Sequence, residues 1–570
     1  MGGAFLTAGK TTLLLTVAWE LKRRRVRSAL TTMRYNPPRG KHAVKPRSLI
    51  PVIFLLAAGV LSHVAAHSQP VKVTGGLVSG VSATDPSIIA YKGIPFAAPP
   101  VGDLRWRAPQ PVIPWTGVVK ADKFAASCIQ QIVREFGPWT YEFMPHNEVS
   151  EDCLYLNLWT PAKTPSAKLP VFVYIYGGGF ETGSSAVAIY DGESLARKGL
   201  VVVTFNYRVG ALGFLAHPEL SEESPHRSSG NYGLLDQIAA LKWIDDNVAR
   251  FGGDPDCITI AGQSAGSIAV HDMTASPLAK GFFHRAIAES GGSTVGGVGL
   301  NFPPKLLVEA EAYGEKFAES KGVHSLRELR ALSPQQILAP VPGNSNGFHF
   351  DPIVDGYVLP APYMEIIAQG KQNDVATLTG GTTGELGGIF GPAEKPLTVQ
   401  AFQDQARMRY GDLADRFLKL YPAATIGQAT AALSASTRDQ SLVAMYLWAK
   451  FRSKTAKTKV YEYLWDHALP GPEATRYGAF HSSELPYVFN NLSTENRPFS
   501  ETDQKIADLM SSYWANFAAK GDPNGPGLPA WPAIGDKLVI MEVGDRNEPI
   551  PLAGSPEKFE FFQELLTDSK

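Results

Sequence analysis

"ITIAGQSAGSIAV", Ile258–Val270, joins an apolar, β-branched run to a Gly-x-Ser-x-Gly turn and then to small residues that suit a helix. In a strand–turn–helix of this kind the residue at the bend is held with its side chain projecting above the sheet. Glycines must flank it, because the incoming strand and the outgoing helix leave no space for side chains. Gly262 and Gly266 meet that need around Ser264. Turns also collect glycine and serine for their own conformational reasons, and an unassisted hydroxyl is a weak nucleophile at neutral pH. Reading Ser264 as a nucleophile therefore requires partners elsewhere: a base, an acid to orient it, and donors for an oxyanion.

The text around the turn supplies the frame. "LPVFVYIYGGGF" (Leu169–Phe180) and "LVVVTFNYR" (Leu200–Arg208) are continuous apolar runs, the habit of strands buried on both faces of a parallel sheet. Between and after them lie helix-like stretches, "YDGESLARKG" and "NYGLLDQIAALKWIDDNVARFGG". In the second, Leu234, Ile238, Leu241, Ile244 and Val248 recur at steps of three and four, and closing glycines suit a C-cap. This alternation predicts an α/β sheet with crossover helices. "VKVTGGLVSGV" and "SIIAYKGIPFAAPP" predict edge hairpins before it, and "DVATLTGGT" and "KVYEYLWDH" two further strands after it. Residues 300–365 are richer in helix-like text, and "DQKIADLMSSYWANFAAKG" is amphipathic.

Gly177, Gly178 and Gly179 end a predicted strand, where ligands collect on an open α/β sheet. Consecutive glycines let backbone N–H groups converge on one point, the arrangement that stabilises a tetrahedral oxyanion. The N–H of Ala265, at a helix N-terminus, adds another donor. After Ser264 the candidate bases are His271, His284, His324, His349, His467 and His481. His481, in the loop text "GAFHSSELPYVF", is preferred on position, with His467 next. For the acid, Glu385 in "TGGTTGELGG" competes with Asp355 in "PIVDGYVLP".

The formal charge of −1 hides an asymmetry. Residues 1–47 hold eleven Lys/Arg and one acid, leaving 42 basic and 53 acidic residues elsewhere, a net of −11. An acidic body lacks the basic footprint that nucleic-acid binding requires. The basic stretch "RYNPPRGKHAVKPR" (Arg34–Arg47) precedes the apolar run Leu49–Leu61 and then "SHVAAHSQP", with Val64 and Ala66 at the −3 and −1 positions of a cleavage site. That order is the pattern of a secretory signal peptide, with Met33 a sensible start and the apolar run short for a membrane span. A retained membrane anchor at Leu49–Leu61 is the alternative. Residues 1–66 are thus expected to be an upstream extension plus signal, cleaved near 66–68, and the protein to be secreted or periplasmic. "TAGKTTLLL" (Thr7–Leu15) is not a phosphate-binding loop, since Ala4 stands where the first glycine belongs. Export permits a bridge between Cys128 and Cys153, whose loop closure is worth about 3–4 kcal/mol in the chain-entropy model. Cys257 is expected to be a buried free thiol.

Eight ordered blocks, "YKGIPFAAPPVGDLRWRAPQP", "SEDCLYLNLWTP", "YIYGGGF", "FNYRVGALGFL", "GNYGLLDQIAALKWIDDNVARFGGDP", "GQSAGS", "GAFHSSELPYVF" and "YWANFAAKGDPN", make the chain resemble the type-B carboxylesterase family, which includes cholinesterases and para-nitrobenzyl esterases. The resemblance implies one α/β-hydrolase domain over 67–570, a mostly parallel central sheet with helices on both faces and helical insertions. It implies Ser264 as nucleophile, Glu385 as acid, His481 as base, and Gly178, Gly179 and Ala265 as oxyanion donors. Cys128–Cys153 matches the family's first disulfide. The implied ligand is a small-molecule ester, with no cofactor, no metal, no nucleic acid and no stable membrane span after cleavage; the oligomeric state is open. Three departures stand out: Tyr176 before the glycines, Gln263 where the family usually carries glutamate, and a loosely matching acid loop. Without that glutamate a cationic choline ester loses an attractive charge. Trp139, Tyr141 and Phe143, in the loop that the bridge would close, either line an entrance or pack the loop. The family's substrates include aryl and alkyl esters, carbamates and toxin esters such as fumonisins. Two rivals stand beside hydrolysis of soluble esters: a non-catalytic neuroligin-like binding protein and an interfacial lipase.

Overall fold

Eleven strands form one sheet in the computed structural model, which describes residues 68–131, 135–292, 304–341, 347–385 and 397–567. In chain order they are β1 (Val81–Ser82), β2 (Ile89–Pro95), β3 (Tyr155–Thr160), β4 (Leu169–Ile175), β5 (Val201–Phe205) and β6 (Gly253–Gln263). After them come β7 (Arg285–Glu289), β8 (Ala376–Thr382), β9 (Val460–Trp465), β10 (Val539–Val543) and β11 (Pro549–Pro551). Their spatial order is β11-β10-β9-β8-β7-β6-β4-β5-β3-β2-β1. From β5 to β10 every neighbouring pair is parallel, while β3, β2, β1 and β11 pair antiparallel at the two edges. The continuous apolar runs seen in the sequence are the central strands: all five residues of β5 are buried, as are the last five of β4. That is what a strand covered on both sides demands.

Alternation along β6 shows the two covering layers. The Thr259 hydroxyl donates to the carbonyl of Ala518 in the helix Glu501–Lys520. Gly262, of opposite parity, lies against Gly266 in the helix Ala265–Ala275. The two helices therefore cover opposite faces. The helix Tyr232–Asn247 runs into a 3-10 turn ending at Gly252 with φ +82°, the glycine C-cap expected there. Helical insertions follow β7 and β8; the longest, Ile426–Arg452, spans 27 residues. With Val399–Tyr410 and Pro556–Thr567 it builds a second apolar core around Phe402, Phe417, Val443 and Phe561.

Parallel register brings one row of strand ends to the same edge. Gly262 pairs with Ile175, Gln263 with Glu289, Glu289 with Gly380, and Thr382 with Trp465. The loops carrying the triple glycine, Ser264 and Glu385 all leave the sheet there. Cys128 and Cys153 are bonded, with Cα atoms 4.9 Å apart. Cys257 is free but only partly buried, which corrects the expected buried thiol: it sits near the start of β6, where Arg285 Nη1 donates to its sulfur at 3.2 Å. No helix among the described residues is long and apolar enough to cross a membrane. The leader and the alternative anchor at Leu49–Leu61 lie outside the described residues.

Candidate active site

Ser264 sits between β6 and its helix with φ +60° and ψ −124°. A non-glycine residue is rarely found at positive φ and persists only where its surroundings over-determine it. Here steric exclusion does so. A Cβ on Gly266 would lie 2.1 Å from the carbonyl oxygen of Ile175, and one on Gly262 2.4 Å from that of Gly266. The Ser264 N–H donates to the carbonyl of Glu289 at 2.9 Å, fixing the bend to the next strand. A side chain at Gly177 would come within 2.9 Å of the Ser264 Cβ, so this glycine lies directly against the bend.

Gly178 and Gly179 have φ +111° and +64°. Among the described backbone hydrogen bonds none uses the N–H of Gly178, Gly179 or Ala265, and Ala265 begins its helix, where N–H groups lack intrahelical partners. A Cβ on Gly179 would meet nothing within 4 Å. Open space therefore adjoins Gly179, whereas Gly178 is packed against Thr182.

His481 arrives from the loop after β9. Gly384 N donates to the carbonyl of Ala479 at 2.9 Å, and Gly384 and Phe480 form a parallel bridge. That pairing sets Glu385 beside His481, and the imidazole Nδ1 donates to Glu385 Oε2. The other oxygen of Glu385 accepts from Thr382 N at 2.7 Å. With Nδ1 bearing the proton, Nε2 has the lone pair, and the Gln263 amide nitrogen donates to it at 3.2 Å. Gln263 directly precedes Ser264 in the chain, so the hydrogen-bonded run Glu385–His481–Gln263 ends at the residue beside the bend.

The electrostatics follow from burial and pairing. Burial opposes a charge on His481, but the Glu385 carboxylate outweighs it and holds the pKa above the ordinary 6.5. Burial likewise works against ionised Glu385, yet His481 and the Ser290 and Thr382 donors bring its pKa below 4.5. Two carboxyl groups not singled out in the sequence lie nearby. Glu289 is fully buried; desolvation pushes it up to about 8 against the opposing bond from Trp514 Nε1. Glu484, three residues past His481, is driven well above the ordinary range by burial and then by Glu385 and Glu289. Ser290 Oγ lies 3.4 Å from its Oε1. A carboxylate ending the apolar text "RAIAE" was the available signal for Glu289; nothing in spacing alone says that it points inward.

The competing candidates have other work. Asp355 accepts from the N–H groups of Tyr357, Val358 and Leu359 and from the Ser228 hydroxyl, so it organises a turn. His467 bonds Asp545 and Asp503, and His271 bonds Tyr363. His284 accepts from Ile258 N, and His349 faces Glu181 and Asp351. Trp139 is buried edge-on against Phe480 with centroids 5.8 Å apart, and Phe143 lies 6.0 Å from the same ring. Tyr141 is exposed and stacks on His146. Trp139 and Phe143 thus back the residue preceding His481, and Tyr141 stands apart from them.

The carboxylesterase family model matches residues 67–561. The chain is 36% identical over 523 residues to the fumonisin B1 esterase of Sphingopyxis macrogoltabida, covering 88% of this chain and 91% of that protein. It is 32% identical over 518 residues to the para-nitrobenzyl esterase of Bacillus subtilis, covering 86% and 97%, and 32% identical over 496 residues to human cocaine esterase, covering 83% and 86%. The sheet order, the strained serine bend and these matches agree: the chain belongs to the carboxylesterase family and is a serine ester hydrolase.

Proposed function

We propose that the chain hydrolyses carboxylic esters through an acyl-enzyme, with Ser264 as nucleophile, His481 as general base and then acid, and Glu385 as the group that orients and charges the imidazole. One observation carries this reading: the hydrogen-bonded run from Glu385 through His481 to Gln263, whose neighbour in the chain is the strained Ser264. Ser264 attacks the ester carbonyl as His481 Nε2 takes its proton, and the carbonyl oxygen becomes an oxyanion facing Gly178, Gly179 and Ala265. The imidazolium then protonates the leaving alcohol, and water repeats the sequence to release the acid. In the resting arrangement the Gln263 amide occupies the Nε2 lone pair that must accept the serine proton. The amide yields that position on attack, and its oxygen is the end suited to accept from Nε2–H once the imidazole is charged.

For substrate, the fumonisin B1 esterase likeness over 88% of the chain supports an ester of a toxin or other xenobiotic, within a wider range of aryl and alkyl esters. Export is part of the proposal, supported by the basic and apolar order of residues 34–66 and compatible with the bridge. The test is covalent: an organophosphonate followed by peptide mapping labels Ser264 alone, and Ser264→Ala abolishes turnover of a para-nitrophenyl ester. Labelling at another residue, or full activity in Ser264→Ala, ends the proposal.

A further inference from the structure

The backbone that presents the glycine donors is held partly by its own turn and partly by neighbouring segments. Gly178, Gly179 and Phe180 have successive φ values of +111°, +64° and +59°, and Phe180, which has a Cβ, is disfavoured there. Bonds within the turn and contacts from outside it select this shape. Gly178 O accepts from Glu181 N and Thr182 N, both at 3.1 Å, and Phe180 O accepts from Gly210 N at 2.6 Å. Beyond them the Gln130 amide bonds both N–H and C=O of Gly183. A further hold is the Glu181 side chain. Its Oε1 accepts from Phe350 N at 2.8 Å and faces His349 Nδ1 at 3.3 Å. Its Oε2 lies against Gly210, where a Cβ would come within 2.9 Å.

We infer that Glu181 and His349 form a brace that fixes the glycine donors, making both of them positioning residues for the ester hydrolysis proposed above, on which this inference rests. The far end of the brace is anchored. Phe348 and Phe350 flank His349 and pack on Tyr313 and Phe317 with ring centroids about 5 Å apart, Phe350 and Phe317 being buried. The His349 N–H donates to Tyr313 Oη at 3.0 Å, and Lys305 lies over the Tyr313 ring. His349 Nε2 meets Asp351 Oδ1 at 2.8 Å, so both ring nitrogens face carboxylates and both donate.

Those bonds, Asp351 first and Glu181 second, push the His349 pKa up to about 10. A half-exposed ion pair alone contributes little. This one shares its carboxylate oxygen with a backbone N–H from a segment locked into an aromatic cluster, so it transmits position rather than bare charge. With the pKa raised from 6.5, the cation is present through neutral pH and is lost as pH rises through about 10.

The experiment measures kcat and KM on a soluble para-nitrophenyl ester for His349→Gln, Glu181→Gln and the double variant, with His349→Lys as the charge-preserving control and Ser264→Ala alongside. Each single variant is expected to lose about tenfold in kcat with KM within about twofold, since a small displacement of reacting groups is costly. The double variant is expected to lose no more than the worse single, because both act through one contact. His349→Lys retains most of kcat, and the wild-type decline in kcat towards pH 10 is absent in His349→Gln. Unchanged kcat in both singles, additive losses in the double, or a loss confined to KM overturns the brace while Ser264→Ala remains inactive. Full activity in Ser264→Ala overturns the ester mechanism and the brace together.

Discussion

The serine side and the imidazole side of the site are held by different physics. Ser264 is fixed by exclusion: Gly177, Gly262 and Gly266 mark places where backbone passes so near that a single carbon has no room. His481 and Glu385 are fixed by attraction between two loops, through one backbone bridge, one imidazole–carboxylate bond and the Thr382 N–H. Exclusion is indifferent to pH and salt; attraction between ionisable groups is not. The shape of the Ser264 bend therefore owes more to packing than to charge, and in the proposed mechanism the pH dependence near neutrality enters through His481 and Glu385.

Gly266→Ala tests the first half of that contrast and carries the largest expected effect. Its methyl group would displace β4 or the helix after Ser264, so kcat/KM should fall at least about a hundredfold and soluble yield should drop. Normal kinetics in a folded Gly266→Ala protein would show that the bend tolerates relaxation. Glu385→Gln addresses the second half. Loss of the orienting charge should lower kcat by about a thousandfold. The sign of the pH effect is also fixed: the base works only when neutral, so activity fails as pH falls through the His481 pKa. Removing the carboxylate that raises this pKa moves the acid limb of kcat/KM to lower pH. Asp355→Asn, which disturbs a turn, should lower melting temperature and leave the limb in place. Equal turnover in Glu385→Gln would assign the acid role to another group.

The smallest effect concerns the buried floor beneath the bend. Glu289, raised from 4.5 to about 8, favours the folded state most below pH 4.5 and loses that contribution as pH rises through 8. Glu289→Gln, which has no proton to lose, should therefore melt about 1–2 °C above wild type at pH 8.5 and close to it at pH 5. A lower melting temperature at pH 8.5 would mean that Glu289 is needed as an acid.

What could be read without coordinates followed the same divide. Ser264, the central strands and the triple glycine announce themselves locally, because steric demands leave glycines and β-branched runs at fixed offsets. The meeting of Glu385 with His481 depends on two loops 96 residues apart, and residue chemistry alone left Asp355 in contention. Only the family resemblance ranked Glu385 first. The helix Ile426–Arg452 escaped notice for another reason: much of its buried face is Ala, Ser, Asp and Gln, so its apolar period is faint. Glu181 and His349 were invisible as a pair, since neither lies in a patterned stretch.

The bond between Cys128 and Cys153 reaches further than its own loop. Two residues beyond Cys128, Gln130 clasps Gly183 at the end of the glycine turn, and Trp139, between the two cysteines, leans on the ring before His481. One covalent link thus backs both banks of the reaction centre. Reduction of that link would remove, in one step, a support shared by the glycine turn and by the loop that carries His481.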